Sequence, residues 1–227
     1  TGNEFSGYIG VAIDIQEKKR TERYLKIQYL VSNTLTEAES TETALLNVLE
    51  NICSGVNWKF GIAWVTEGDK LVQKAVWSEN PVETRNYNTR FGNDFSLTKG
   101  QGLPGRVWGT SAPLWIEDFE ADENLPRKKD LMELGWRTGF AVPIKDGERV
   151  IAVIECFNKN VLTAKNDLLQ VLESVGSQVG NFLERKKAEE NLKIAYDELE
   201  TRVNERTVEL ANTLNRLLDE MAIKEKV

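Results

Sequence analysis

Residues 137–158, RTGFAVPIKDGERVIAVIECFN, decide the expected fold. The segment consists of two apolar runs, and the polar sequence KDGE at residues 145–148 separates them. Asp146 and Gly147 form a typical turn pair, because the tight turns that suit twisted antiparallel strands need residues that tolerate a positive φ. The segment therefore predicts a β-hairpin.

The second strand of this hairpin is apolar on both of its faces. Alternate residues of a strand point to opposite sides, and here the two sets are Val150, Ala152, Ile154 and Cys156 on one side and Ile151, Val153 and Phe157 on the other. A strand of this composition is buried on both sides. We therefore expect helices against one face of the sheet and a pocket or a collapsed core against the other.

The neighbouring segments extend this hairpin into a larger sheet with helices. Three segments show the apolar pattern of strands: 58–65, 70–77 and 112–119. Two segments show helical features, 40–55 and 121–136, whereas residues 78–98 are polar and predicted to be irregular. Most connections are short enough for hairpins, so we expect a mainly antiparallel sheet with helices packed on it, an α+β fold.

A glycine-rich segment, KGQGLPGRVW at residues 99–108, has the G-x-G-x-x-G spacing of a dinucleotide-binding loop. Such a loop lies between a buried parallel strand and a full helix, whose N-terminus binds the pyrophosphate. Here the preceding FSLT is not a buried strand, and Gly109 and Pro113 interrupt the segment that follows. Pro104 also removes a backbone N–H donor from the loop. We therefore reject a nucleotide-binding function for it.

The same segment is better explained as a structural turn. We predict a tight turn at GLPG, residues 102–105, and one helical turn beginning at RVW. Val107 and Trp108 would then contact the core. Arg106 would bond to the carboxylate of Asp118 or to a backbone carbonyl.

The C-terminal part of the chain is predicted to form one long helix from about residue 164. Its later apolar positions recur at steps of three and four residues: Leu192, Tyr196, Leu199, Val203, Thr207, Leu210, Leu214, Leu217 and Met221. This spacing is typical of a coiled-coil seam, with a four-residue stutter near Val203. We expect a homodimer through a parallel coiled coil; the alternative is a helix that folds back on its own domain.

Composition excludes several classes of function. The net charge of −7 argues against nucleic-acid binding, and no apolar run approaches the ~18–20 residues that span a membrane. The chain has no histidine, which is the commonest metal ligand, and no metal site is expected. The phosphoacceptor residue of a histidine kinase is missing for the same reason. Its two cysteines, Cys53 and Cys156, are interpreted as reduced core thiols of a cytoplasmic protein.

Several motifs, in this order and separation, resemble a GAF domain. They are GLPGRVW (102–108), PLWIEDF (113–119), GWRTGFAVPI (135–144), RVIAVIECF (149–157) and the helical segment 168–192. The resemblance implies a central antiparallel sheet of about six strands. It also implies a helical layer formed by the first and last helices and a pocket on the opposite face.

Both flanks carry separate resemblances. GYIGVAIDIQEKKRTERYL at 7–25, with a predicted strand at 5–13, is similar to the last strand of a PAS domain and its exit helix. Residues 198–221 resemble the signalling helices upstream of histidine-kinase or second-messenger output domains. The implied organisation is a PAS strand, a connector helix, a GAF core and a coiled-coil signalling helix, at 1–15, 16–36, 37–184 and 185–227. This order resembles a sensor histidine kinase of a bacterial or archaeal two-component system, with the kinase outside these residues.

The ligand of such a pocket, and any cofactor, stay unknown from sequence. GAF domains bind cyclic nucleotides, tetrapyrroles, haem or small metabolites, and the lack of histidine argues against histidine-ligated haem and Cys-His bilin attachment. Thiolate ligation of haem by Cys156 stays open, whereas the residues after Asn158-Lys159 lack the further cyclic-nucleotide motif. The candidate pocket residues are Trp64, Trp77, Arg106, Trp108, Trp115, Asp118, Trp136 and Cys156. The alternative is that the tryptophans fill the core.

The sequence favours a sensory and relay function over catalysis. Some stand-alone GAF proteins reduce free methionine sulfoxide with cysteines clustered at the pocket. Cys53 on a predicted helix and Cys156 on a strand do not reproduce that cluster. A purely structural dimerisation module without a ligand is the other alternative.

Overall fold

A computed structural model describes residues 3–92 and 95–224, with side chains at 18–92, 95–214 and 216. The helices are α1 (Asn3–Glu37), α2 (Thr41–Val56), α3 (Pro81–Phe91), α4 (Gly102–Thr110), α5 (Lys128–Glu133) and α6 (Asn166–Lys224). The strands are β1 (Phe60–Glu67), β2 (Lys70–Ser78), β3 (Ser96–Thr98), β4 (Leu114–Ile116), β5 (Thr138–Asp146) and β6 (Arg149–Asn158). Contacts divide the chain into two units, Thr1–Leu183 and Glu184–Val227, which are described separately.

The first unit contains one six-stranded sheet in the order β3-β2-β1-β6-β5-β4. Every neighbouring pair of strands is antiparallel. The predicted hairpin is present as β5 and β6, in which Asp146 pairs with Arg149. Gly147 in its turn has a φ of 56°, in the left-handed region that glycine adopts without strain. The α+β class with an antiparallel sheet is therefore confirmed.

The two faces of the sheet are covered by different elements. On one side, Ile154 and Cys156 of β6 pack with buried residues of α1, of α2 and of α6 up to Leu183. We name this side the helical face. On the other side Val153 and Phe157 pack with residues of α3, α4, α5 and their connections, and we name it the loop face. This division confirms the expectation that the first and last helices cover one side of the sheet.

The strand predicted at residues 5–13 is wrong, because these residues form part of α1. An isolated strand leaves its backbone N–H and C=O groups without partners, whereas a helix pairs them within the segment. No strand of the described residues pairs with this segment. The assignment of 1–15 to a PAS domain stays a prediction.

The segment 78–98, predicted to be irregular, contains α3 and β3. Helix α3 begins with two strong local features that the prediction missed. The side chain of Asn80 accepts a hydrogen bond from the backbone N–H of Val82 at 3.1 Å, and Pro81 occupies the start of the helix. These features mark the helix start even though α3 carries few apolar residues.

The glycine-rich segment is helical from Gly102 onward, so the tight turn predicted at residues 102–105 is wrong. Pro104 lies in the first turn of α4, where backbone N–H groups lack partners within the helix in any case. A Cβ atom on Gly105 would lie 2.3 Å from the carbonyl oxygen of Thr98, so glycine permits the close approach of α4 to β3. The strand before α4 has three residues and is antiparallel to β2, unlike a dinucleotide-binding unit.

Candidate functional site

A buried ion pair lies at the centre of the loop face. Arg127 directly precedes α5 and is 2% exposed, and Glu155 on β6 is 0% exposed. The Nη2 atom of Arg127 donates to both carboxylate oxygens of Glu155, each at 2.8 Å. A charged pair at this depth requires that its remaining polar atoms also have partners.

Two further side chains supply those partners. The indole Nε1 of Trp64 donates to Oε2 of Glu155 at 2.9 Å. The Nη1 atom of Arg127 donates to the hydroxyl oxygen of Tyr87 at 2.7 Å. The carboxylate thus accepts three hydrogen bonds, and β1, α3, β6 and the segment before α5 meet at one point.

Aromatic rings surround the guanidinium group. Its central carbon lies 5.0 to 5.8 Å from four ring centroids, those of Trp64, Phe95, Phe91 and Phe157. These distances allow cation–π attraction. We name this site the arginine box; its members are Arg127, Glu155, Tyr87, Trp64, Phe91, Phe95 and Phe157.

The electrostatics of the arginine box follow from its burial. Burial raises the pKa of the Glu155 carboxyl, and the attraction of Arg127 and the hydrogen bonds from Arg127 and Trp64 oppose that rise. Burial opposes the charge of Arg127, but Glu155 and Tyr87 outweigh this effect and raise its pKa. The arginine box is therefore a buried ion pair whose charged groups have hydrogen-bond partners within the protein. The Glu155 carboxylate is not exposed to solvent.

Comparison with protein-family models identifies the domain to which most of the chain corresponds. A family model for the GAF domain matches residues 38–184. The chain belongs to the GAF domain family. A comparison with curated protein sequences finds no match.

Solved GAF structures share this fold at low sequence identity. The nlh2 GAF domain of A. aeolicus, in an inactive state, is 20% identical with a TM-score of 0.60, covering 74% of this chain and 99% of that one. The ptsP GAF domain of Coxiella burnetii is 14% identical with a TM-score of 0.64, covering 75% and 98%. Free methionine-R-sulfoxide reductase of Neisseria meningitidis, in complex with its substrate, is 13% identical with a TM-score of 0.60, covering 73% and 91%. At these identities the likeness establishes the fold alone.

Four of the predicted pocket residues lie at the loop face of the GAF domain or its rim. Trp64 and Trp136 are buried in its core, and Trp108 packs against that core while partly exposed. Arg106 donates to the backbone carbonyl of Gly102 at 3.1 Å, as predicted. Its carboxylate partner, at 2.8 Å, is Asp122.

Asp118 has a partner other than the predicted one. It pairs with Arg137 at 3.1 Å, and the hydrogen bonds from Arg137 hold the pKa of its carboxyl below the ordinary value. Its side chain also accepts from the backbone N–H of Glu120 at the start of a 3₁₀ turn, Phe119–Ala121. Asp118 therefore has a structural function at the loop before β5.

The remaining three candidates lie on the helical face. Trp77 packs there at the edge of the core, and the Trp115 indole donates to the carbonyl of Leu162 at 2.9 Å. The thiol of Cys156 lies 3.6 Å from that of Cys53. The structure thus does not bring the eight candidates to one face, and contact of any of them with a ligand stays a prediction.

The sequence prediction missed the central residues of the arginine box. The sequence does contain an indication that Glu155 is unusual, since it is the one charged residue between Val150 and Phe157 on a strand predicted to be buried on both faces. The sequence contains no such indication for Arg127, because it begins a run of basic residues, which is typical of an exposed segment. Tyr87 lies in the segment predicted to be irregular.

Potential metal ligands do not cluster in the described part of the chain. Cysteine, aspartate and glutamate side chains form no group of three there that could hold a metal ion. The same residues contain no helix with the length and apolar character needed to cross a bilayer.

The predicted seam lies on α6 in the second unit. Six of its apolar side chains are each more than half exposed: Leu192, Tyr196, Leu199, Val203, Leu210 and Leu214. Leu217 and Met221 lie outside the residues whose side chains are described. An exposed apolar row of this length on a helix is unusual unless a partner covers it.

Tyr87 provides a test of the arginine box by pH. Burial raises the pKa of Tyr87 from 10.0 to about 12. The unfolded chain therefore loses the phenol proton at a lower pH than the native chain does, and stability present below pH 10 is lost as the pH rises towards 12. We therefore expect the free energy of unfolding of the wild type to fall across that range.

The measurement is urea unfolding at a series of pH values for the wild type and Tyr87→Phe. The variant is expected to be less stable at neutral pH, because one guanidinium N–H loses its acceptor. Its stability should then fall less steeply above pH 10. Parallel curves would contradict the assigned burial of the hydroxyl.

Proposed function

We propose that this chain is the sensory and signal-relay segment of a sensor histidine kinase in a two-component system. In this proposal the GAF domain receives a small-ligand signal or a signal from an upstream PAS domain, in the cytoplasm. The helix from residue 185 onward transmits it to an output domain outside these residues. The observation that carries the proposal is the exposed apolar seam on α6, a helix that begins within the GAF domain.

A second copy of the chain is the occupant that fits this seam. The three- and four-residue steps are self-complementary, because two parallel helices with the same spacing place apolar residues opposite each other. The first unit offers a second apolar surface on α1, where Leu25 and Tyr29 lie four residues apart and are both more than half exposed. Both surfaces support a homodimer rather than a single chain.

The stutter between Val203 and Thr207 supports a relay function for the coiled coil. A four-residue insertion in the heptad pattern locally unwinds a supercoil. Two packings of similar energy at such a point allow a signal to change the register. Arg202 precedes the stutter and Glu205 and Arg206 lie within it, and in this proposal their charges select one register.

A catalytic function has less support than a regulatory one. A catalytic function has to be considered because a methionine sulfoxide reductase shares the fold, and because the structure brings Cys53 and Cys156 into contact. The pair lies on the helical face, however, and the arginine box lies on the loop face. Burial raises the pKa of the Cys156 thiol well above its ordinary value, which disfavours the reactive thiolate. Reduction of free methionine sulfoxide by the purified chain would contradict this assignment.

The dimer is tested with two matched substitutions in the full chain. Leu210→Lys places a charge on the seam, whereas Val208→Lys places the same charge at a position that is also more than half exposed but off the seam. We expect the wild type and the Val208 variant to be dimers by sedimentation equilibrium. The Leu210 variant should dissociate at least tenfold more readily, as should a chain ending at Lys187.

Two results would contradict the proposed relay dimer. One is a wild-type chain that is monomeric at every protein concentration. The other is a Val208 variant that dissociates as readily as the Leu210 variant, because that would place the interface elsewhere on the helix.

A further inference from the structure

Two cysteine thiols meet in the core of the helical face. Cys53 lies in the last turn of α2 and Cys156 on β6, and they are 103 residues apart in sequence. Their Sγ atoms are 3.6 Å apart, and both residues are fully buried and unbridged. The distance corresponds to direct contact between the two sulfur atoms.

A glycine on the neighbouring strand provides the space for this contact. Gly61 on β1 pairs with Cys156 across the sheet. A Cβ atom on Gly61 would lie 2.8 Å from Sγ of Cys53 and 3.5 Å from Sγ of Cys156. Any other residue at position 61 would therefore push into the space that the two thiols share.

We propose that Cys53 and Cys156 are a modification site at which hydrogen peroxide forms an intramolecular disulfide that links α2 to β6. This inference does not rest on the proposed relay function. It also differs from a pocket reaction, because the pair lies on the helical face, on the other side of the sheet from the arginine box.

The reaction takes place in two balanced steps. The Cys53 thiolate attacks one oxygen of the peroxide, the O–O bond breaks, and hydroxide leaves, giving a sulfenic acid. The Cys156 sulfur then attacks Sγ of Cys53, the S–O bond breaks, and water leaves with the proton that Cys156 supplied. In sum, two thiols lose two electrons and one peroxide is reduced to two waters.

The geometry allows the second step with a small movement. A disulfide needs a sulfur separation of about 2.05 Å, so each sulfur moves by less than 1 Å from its present position. Rotation of the two side chains towards each other supplies such a movement, because no other atom separates the two thiols where they meet beside Gly61. No third cysteine is needed to complete the reaction, because the thiol of Cys156 is already in contact with Sγ of Cys53.

Access explains which cysteine reacts first. The pKa of the Cys156 thiol is raised by burial and by the hydrogen bond with Cys53, so Cys156 is a poor initial nucleophile. Cys53 lies three residues before the end of α2, so a local opening of that last helical turn exposes its sulfur without separating the strands of the sheet. We expect oxidation to be slower than for an exposed thiol but to give one defined product.

The experiment uses the full reduced chain treated with hydrogen peroxide. We expect an intact mass lower by two hydrogen atoms in more than half of the molecules, and loss of both alkylatable thiols after denaturation. A proteolytic peptide pair joining Cys53 to Cys156 should appear, and dithiothreitol should reverse all three changes. Cys53→Ala and Cys156→Ala are the matched controls and should show no loss of two hydrogens.

Three outcomes would overturn the proposal. The oxidised wild type could keep both thiols alkylatable after denaturation. It could gain oxygen to the sulfinic or sulfonic state without losing two hydrogens, or it could cross-link only between chains. The peptide pair is measured on the wild type itself, so the test stands even if an alanine variant does not fold.

Discussion

Replacing Arg127 with alanine is expected to lower the free energy of unfolding by about 3–5 kcal/mol. The variant leaves the Glu155 carboxylate fully buried without its cationic partner, and it removes two hydrogen bonds of 2.8 Å. It also leaves the Tyr87 hydroxyl without its donor. Urea unfolding followed by circular dichroism measures the loss directly.

A double-mutant cycle separates the ion pair from simple loss of packing. Arg127→Leu and Glu155→Leu are each expected to be strongly destabilising, because each leaves one buried charge unpaired. The double variant removes both charges and should be more stable than either single variant. Additive losses in the double variant would show that the pair is not coupled.

Arg137 offers a matched control for Arg127. It also forms an ion pair, with Asp118 at 3.1 Å, but both side chains are partly exposed to solvent. Solvent screens such a pair, so Arg137→Ala should be much less destabilising than Arg127→Ala. Equal losses would contradict the importance assigned to burial in the arginine box.

The second large effect is expected at Gly180, where alanine should cost about 3 kcal/mol or more. Gly180 lies on the part of α6 that covers the helical face. A Cβ atom there would lie 1.9 Å from the carbonyl oxygen of Lys145 and 2.8 Å from its carbonyl carbon. These are backbone atoms of β5, so the helix itself must move away from the sheet.

Gly109 provides the control for this substitution. It lies in α4, and a Cβ atom there would have its nearest contact at 3.8 Å, an ordinary van der Waals distance. Gly109→Ala should therefore be neutral or stabilise the chain by about 0.5–1 kcal/mol, the usual preference of a helix for alanine. Thermal unfolding of both variants checks the contrast, and a mild Gly180→Ala would contradict the close approach of α6 to β5.

Gly176 shows that this close approach extends along the helix. A Cβ atom on Gly176 would lie 2.3 Å from the carbonyl oxygen of Pro143, two residues before Lys145 on β5. Residues four apart lie on the same side of a helix. The sequence GSQVG at 176–180 therefore marks the contact between α6 and the sheet, which the apolar pattern alone did not reveal.

Strand alternation and turn residues act over short distances, so the hairpin at 137–158, the antiparallel α+β class and the resemblance to a GAF domain can all be predicted from the amino-acid sequence. It did not determine which side chains meet. The ion pair of Arg127 with Glu155 and the contact of Cys53 with Cys156 depend on strand register and on how helices and loops pack against the sheet. At residues 5–13 even the secondary structure is not decided by the sequence, since an apolar run of this kind is compatible with a strand or a helix. Backbone hydrogen bonding in the folded chain selects the helix.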